Sequence, residues 1–584
     1  MADPQLINDS PPLDDPTYPA GHRSLIHAYL PYVALLAACY FLGLYCCELN
    51  KQLYQHCSPF YDSLSYNERL FRVMTVSRQD GLVESLDLAC LSTNTNCLPF
   101  LAATVIAPLV EPTRLFGVWF QTGLLFLFLA SLYYYLSSIR GLSASSSLAG
   151  CIVFLAAKFL YYENGGLSDF RMDLSLFVGF GLTAVWYLSS MSRPSDWNFV
   201  LLGISGAVCC LLRATAPVYL IFSLAPLFLC ELLKPDNRGA KLRGIAISAT
   251  LVVVLAGWFY ILNFDYLRYY YFDWNTDANA KIPFSEAFHH WKLAHRSVGE
   301  PILLLLLLWW GGIALVTRKK QSLGSWIWQA IKSADFDWRI GWLGIATVAM
   351  MIARRAGLNP FVCLPAVFGL ILFFTLPCLR QLDALKEKSL VFFCWVVLLI
   401  CVGIAGARGW KRHSPEEFST IKANHLIVDT MVENTQARNK KQLQYAVVQI
   451  SNIDSNILYS VLLYDRPDAK PHLDGVVIDG VNIRRIHTFS RPAQLDWETL
   501  AGSTDEEKIA GMVAEAETKI DYLIVPDRES AKTIPLKLGH NVINNHLIPI
   551  RELIVNNDSW ALLKSGVQVD EKEYVDIYRN LSRD

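Results

Sequence analysis

"CSPFYDSLSYNERLFRV", residues 57–73, follows the first long apolar run of the chain and precedes, some tens of residues later, another. It sets an acid, Asp62, among aromatic residues, with Glu68 and Arg69 about two helical turns further on. A polar stretch placed this way decides the reading of its surroundings. If the flanking runs cross a bilayer, the side that this loop faces, and the other charges that face that side, define where chemistry can occur.

Composition supports the membrane reading. Of 584 residues, 53% are hydrophobic, more apolar sequence than a water-soluble core of this length requires. The formal charge of −1 points neither to nucleic acid nor to a polybasic membrane anchor, so any charge-based function must come from local placement. Residues 1–27 are acidic and proline-rich at the start, with no basic leader and no small-residue cleavage site, and are expected to form a disordered cytoplasmic segment before a retained first helix. Most of the fourteen cysteines fall in apolar runs and form no spaced set. Cys57, Cys90 and Cys97 share one polar loop, where a disulfide and free thiols are both compatible with the sequence.

A span needs roughly 20 apolar residues, fewer when buried among other helices. On that basis about eleven transmembrane helices are expected, near 28–49, 115–138, 143–162, 173–191, 197–212, 214–232, 244–263, 300–317, 340–356, 359–378 and 389–407. The run 97–110 is short and proline-bracketed, which suits an interfacial helix. With a cytoplasmic N-terminus, Arg140, Arg193, the Lys234–Arg243 group, Arg318 to Lys320, and Arg380 to Lys388 all fall in cytoplasmic loops, as the positive-inside rule requires. Loops 50–114, 163–172 and 264–299 then face outward, as does everything after about residue 408. The domain plan is thus a transmembrane unit over 28–408 and an extracytoplasmic unit over 409–584. The latter alternates β-like runs ("YAVVQIS", "GVVIDG", "DYLIVP") with helix formers ("DEEKIAGMVAEAETK"), the pattern of a soluble α/β domain. No glycine-rich phosphate loop follows its strands, so a cap or docking module is the simpler reading.

Ionisable residues near span ends are costly unless they line a cavity, which makes them candidates for function. On the expected outer face these are Asp62; Glu163, Asp169, Arg171 and Asp173 in "YYENGGLSDFRMDL"; Arg213 in "LLRATAPVYL"; and Arg354 and Arg355 in "IARRAGLNPFVCLP". Glycosyl transfer from a lipid-linked phosphate uses such a set: a carboxylate removes the proton of an attacking hydroxyl, and guanidinium groups stabilise charge on the departing phosphate. The structural alternatives are a helix cap for Asp62, a snorkelling or salt-bridged Arg213, an Arg171–Asp173 ion pair that locks the loop, and an interface-boundary role for Arg354 and Arg355.

The stretches "FYDSLSYNERLFRVM", "SDFRMDLSLFVGFGLTAVWYL", "LLRATAPVYLI" and "LNPFVCLPAVFGLIL" together resemble, in order and topology over roughly 28–408, the polytopic GT-C glycosyltransferases. The likeness is to the bacterial lipid A aminoarabinose transferase group, which is related to protein O-mannosyltransferases. The resemblance implies an inverting transferase that takes sugar from a polyprenyl- or dolichyl-phosphate carrier. It implies Asp62 as general base, Arg213 with Arg354 or Arg355 at the donor phosphate, and Asp173, Arg171, Glu163 and Asp169 in support. Many relatives carry two adjacent acids in the first loop, whereas Ser63 follows Asp62 here.

The acceptor is expected to be a glycan, lipid or protein, and the setting a bacterial inner membrane rather than the endoplasmic reticulum. Other expected partners are membrane lipids, with no nucleic acid. No cofactor is expected, and a divalent metal is unsupported: His289, His290 and His295 in "HHWKLAH" lack acids or cysteines at ligand spacing and read as an amphipathic interfacial helix. Sequons occur at Asn557 and Asn580. A transporter or lipid flippase is the competing class, although no clear internal repeat supports it. A membrane scaffold would leave the outer-face charges without a reason.

Overall fold

The computed structural model describes residues 25–53, 62–90, 96–162, 165–268, 282–317, 337–355, 357, 360–385, 388–410, 420–448, 469–472, 475–486, 504–532, 546–570 and 573–583. Its first part is helical. Helix α1 (Leu25–Leu53) is followed by three helices of the first loop, α2 (Asp62–Gln79), α3 (Leu82–Cys90) and α4 (Leu98–Ile106). The bundle continues with α5 (Leu115–Tyr134), α6 (Ala144–Val153), α7 (Met172–Ser192), α8 (Asp196–Leu212), α9 (Ala216–Leu233) and α10 (Arg238–Leu262). Two short helices, α11 (Phe264–Arg268) and α12 (Phe284–Ala287), precede α13 (His289–Val298), α14 (Glu300–Thr317), α15 (Trp338–Arg354), α16 (Leu364–Ala384) and α17 (Lys388–Trp410).

Each of the eleven segments expected to span forms a helix, but the helices are unequal. Seven are long and apolar enough to cross a bilayer unaided, and α13 with α14, bent by 72° at Gly299, makes an eighth. The apolar helices at Ala144–Ala156 and Asp196–Leu212 are shorter, and α15 has 17 residues. Burial accounts for the difference, because a helix enclosed by others need not match the hydrocarbon thickness by itself. Central α7 is buried almost throughout, and α10 at the periphery turns Val253, Val254 and Ile261 outward, as a lipid-facing surface requires. Multiple apolar helices of this kind make the chain an integral membrane protein. Where α15 and α16 cross, a Cβ on Gly369 would lie 2.2 Å from the Gly344 nitrogen, so only glycine permits that approach.

The last part is an α/β domain. Among the described residues it has seven strands, β1 (Gln442–Val447), β2 (Lys470–His472), β3 (Gly475–Ile478), β4 (Val481–Arg485), β5 (Tyr522–Pro526), β6 (Trp560–Asp570) and β7 (Glu573–Asn580), in the order β2-β3-β4-β1-β5-β7-β6. Strand β1 runs parallel to β4 and β5, and the other pairs are antiparallel. Helix α18 (Thr420–Ala437) packs on this sheet, with Thr435 Oγ1 2.8 Å from the Tyr522 hydroxyl, while α19 (Asp505–Lys519) and α20 (Leu547–Val555) pack together. The start of α19 is set by a capping box between Thr504 and Glu507. The Asn580 side chain is fully buried and donates to the Glu517 and Ile520 carbonyls at 2.7 and 2.9 Å, so this sequon cannot carry a glycan in the folded domain.

Of the two states open to the loop cysteines, Cys90 and Cys97 take that of buried free thiols, and burial pushes the Cys90 thiol up to about 11 despite the nearby Arg69 charge; Cys57 lies outside the described residues. One local expectation changes, that for Glu68. It reads from sequence as a solvated helix-face acid, yet it is buried and its Oε2 lies 3.2 Å from Nη1 of Arg485 in the α/β domain.

Candidate functional site

The site is assembled at three breaks between helices. Helix α6 unwinds into 3₁₀ turns at Phe154–Ala156 and Lys158–Tyr161, separated by extended Ala157, and the chain then folds back to enter α7 at Met172. Gly165, with φ at +89°, donates its N–H to Asp169 Oδ2 at 2.6 Å. A Cβ there would meet Phe361 at 2.5 Å, so glycine lets this loop close over the aromatic ring. Asp169 is thereby committed to shaping the loop.

Arg171 and Asp173 face each other across the start of α7, with Arg171 Nε donating to Asp173 Oδ2 at 2.7 Å. The second oxygen, Oδ1, lies 3.1 Å from Nη1 of Arg213. Arg213 occupies the break between α8 and α9, in an extended conformation that ends one helix, while Pro217 opens the next. One carboxylate therefore holds two guanidinium groups, one almost buried and one half-buried. Arg171 is fixed further by Phe361, whose ring centre is 4.3 Å from its guanidinium carbon, and by Gln121, which donates to the Arg171 carbonyl at 2.8 Å.

The third break lies between α15 and α16. Arg354 ends α15, and Arg355 adopts the left-handed conformation, φ +53°, that reverses the chain. Arg355 exchanges hydrogen bonds with Ile282: its Nε donates to the Ile282 carbonyl at 3.1 Å and its own carbonyl accepts from the Ile282 N–H at 3.2 Å. Arg354 has the other role, since its charge acts on Tyr219 together with those of Arg213 and Asp173. The two adjacent arginines thus differ in that Arg355 is tied to the Ile282 backbone. The side chains of both are exposed.

Sequence reading did not single out Gln121, Phe361, Tyr219 or the pair of buried His290 with Cys363, whose Nδ1 and Sγ are 3.4 Å apart. All are contacts between residues distant in the chain. The helix α13 does show an amphipathic pattern, with His290, Ala294, Ser297 and Val298 turned inward and His289 and His295 exposed. Glu163 lies outside the described residues. For Asp62 the structure describes the backbone, as the first residue of α2, and not the side chain. Helix α2 nevertheless borders the cluster: Leu70, Val73 and Met74 pack in one apolar group with Phe170 and Met172, the neighbours of Arg171.

No protein-family model matches the chain, and no curated protein does. Among solved structures, the fold matches the crystal structure of ArnT from Cupriavidus metallidurans in the apo state, with a TM-score of 0.52 and 12% identity, over 94% of this chain and 98% of that one. It also matches ArnT from the same organism bound to undecaprenyl phosphate, with a TM-score of 0.50, 11% identity and the same coverage. At such identity the likeness is one of fold. The chain has a GT-C-like fold, a polytopic helical membrane unit with a C-terminal α/β domain.

Proposed function

We propose that the protein is a membrane glycosyltransferase that moves a sugar from a polyprenyl- or dolichyl-phosphate carrier to a hydroxyl of an extracytoplasmic glycan, lipid or protein. The observation that carries this reading is the cluster of Arg171, Asp173 and Arg213 with Arg354 nearby, at helix breaks of a fold also seen in a structure bound to undecaprenyl phosphate. Asp173 pre-orients two guanidinium groups, and Arg213, the more accessible of the two, presents a planar fork of donors of the kind that suits a phosphate. Guanidinium groups fixed before the reaction stabilise developing charge without reorganising.

In this reading the acceptor oxygen attacks the anomeric carbon from the face opposite the phosphate. The carbon–oxygen bond to the phosphate breaks, its electron pair leaves with the phosphate, and the anomeric configuration inverts. Asp62 takes the acceptor proton. Arg213 and Arg354 stabilise the departing phosphate, while Arg171 and Asp169 act by fixing the loop. The setting is a bacterial inner membrane, with the reaction on its outer side.

The test uses purified full-length protein with labelled polyprenyl-phosphate sugars and a membrane lipid or glycan extract. Transfer of label to an acceptor is the expected result. Movement of the labelled carrier across a vesicle membrane with no transfer would replace the transferase reading with a flippase.

A further inference from the structure

The Glu68–Arg485 pair, with Glu68 buried and Arg485 partly so, joins two parts of the molecule separated by 417 residues in sequence. Glu68 belongs to α2, and Arg485 is the last residue of β4, in parallel register with Tyr445 of β1 at the middle of the sheet. Phe71, one turn after Glu68 on the same side of α2, packs against the core of the α/β domain. The other side of α2 carries Leu70, Val73 and Met74, which pack with Phe170 and Met172 on either side of Arg171. Helix α2 is therefore clamped, with the soluble domain on one side and the guanidinium loop on the other. Its first residue is Asp62, about 9 Å along the helix axis from Glu68 at 1.5 Å per residue.

From this we infer that the α/β domain positions the reacting groups through α2, with Arg485 and Glu68 as positioning residues for Asp62 and for the Arg171 loop. The inference rests on the transferase reading for its kinetic consequence, and its structural content stands by itself. A solvated Glu68 would leave α2 free to shift with its apolar side alone. An ion pair removed from water fixes both the rotation and the height of the helix, because the pair loses its stabilisation when either partner moves by an ångström or two. It also gives the C-terminal domain a part in the reaction that needs no ligand of its own.

The test compares full-length wild type with Arg485→Glu, Glu68→Arg, the exchanged double variant and Arg485→Lys. At saturating donor, each charge reversal should lower kcat by about ten- to a hundredfold, the scale of a misplaced reacting group. Donor KM should stay near wild type, and the exchange and the lysine variant should recover most of the rate. A double variant no faster than the single ones overturns the inference. Hydrogen exchange in Arg485→Ala decides the structural part without any turnover: faster exchange over 62–79 with α7 and α9 still protected supports the clamp, and unchanged protection of 62–79 overturns it. A wild type that transfers no sugar defeats the transferase reading alone, because the exchange result still stands or falls by itself.

Discussion

Two buried charge clusters lie at opposite ends of α7, about 30 Å apart by helix rise, and they are matched differently. At one end Asp173 is shared by Arg171 and Arg213, with Arg354 close by. At the other, Glu231 at the end of α9 contacts Lys234, Lys241 and Arg339 at 2.7, 2.9 and 3.8 Å, and Asp337 contacts Arg140 and Arg339 at 3.1 and 2.7 Å. Here every cation named has a carboxylate partner. At the Asp173 end one carboxylate serves two guanidinium groups, one on each oxygen. The matched cluster ties α5, α9, α10 and α15 together, which is the work of structure. The Asp173 cluster, with Phe361 over Arg171, is the one that the proposed function assigns to an anion. Charged residues in a sequence thus give no guide to function until their partners are known.

The largest effect expected is at Asp62. Asp62→Asn should lower turnover by about 10²- to 10⁴-fold, the usual contribution of a general base, with donor binding and the amount of folded protein unchanged. Near wild-type turnover in this variant would remove Asp62 from the mechanism. At the matched end, Glu231→Ala should act on stability instead: it strands the buried Lys241, while Arg339 keeps Asp337, at a cost of about 3–5 kcal/mol for a broken buried pair. Thermal unfolding in detergent checks it, and the turnover of the molecules that remain folded should match wild type. A loss of turnover at full stability would erase the distinction between the two ends.

A smaller effect comes from acid. Burial alone would raise the Asp337 carboxyl, but hydrogen bonds and charge from Arg339, with the charge of Arg140, outweigh it and hold the group below the usual carboxylate range. A depressed folded pKa gives stability that is complete above the unfolded value of about 3.9 and is lost as pH falls through the folded value. Melting temperature should therefore be insensitive to this group from pH 8 to about 5 and drop below about pH 4. Asp337→Asn should flatten that acid step and lower stability at neutral pH, and an unchanged acid step would assign it elsewhere.

What the sequence made legible follows from the range of the interactions involved. The helices were readable because each is announced by its own run of apolar residues, and the arginine at 213 because Pro217 marks a helix break four residues on. The alternation of β-like and helical runs after residue 440 was readable for the same reason. Glu68 was not: its partner is 417 residues away, and the polar residues around it in α2 look like a solvated face. Phe361 over Arg171, Tyr219 beside Arg213, and Glu231 reaching Lys241 and Arg339 are likewise products of tertiary packing. Residue types near a break can suggest a charged site, but only the assembled bundle separates a cluster of two acids from one built on a single shared acid.

The central claim, that the Asp173 end receives a lipid-linked phosphate and the Glu231 end does not, is tested most directly by binding. Affinity for a polyprenyl phosphate should be measured on purified wild type, Arg213→Ala, Arg213→Lys and Lys241→Met, each first shown to be folded. A charge-assisted hydrogen bond contributes about 1.5–3 kcal/mol, so Arg213→Ala should weaken binding by roughly ten- to a hundredfold. Lysine should recover part of it, because a point charge replaces a planar fork. Lys241→Met should bind as wild type does. Wild-type affinity in Arg213→Ala, or a loss confined to Lys241→Met, would contradict the account.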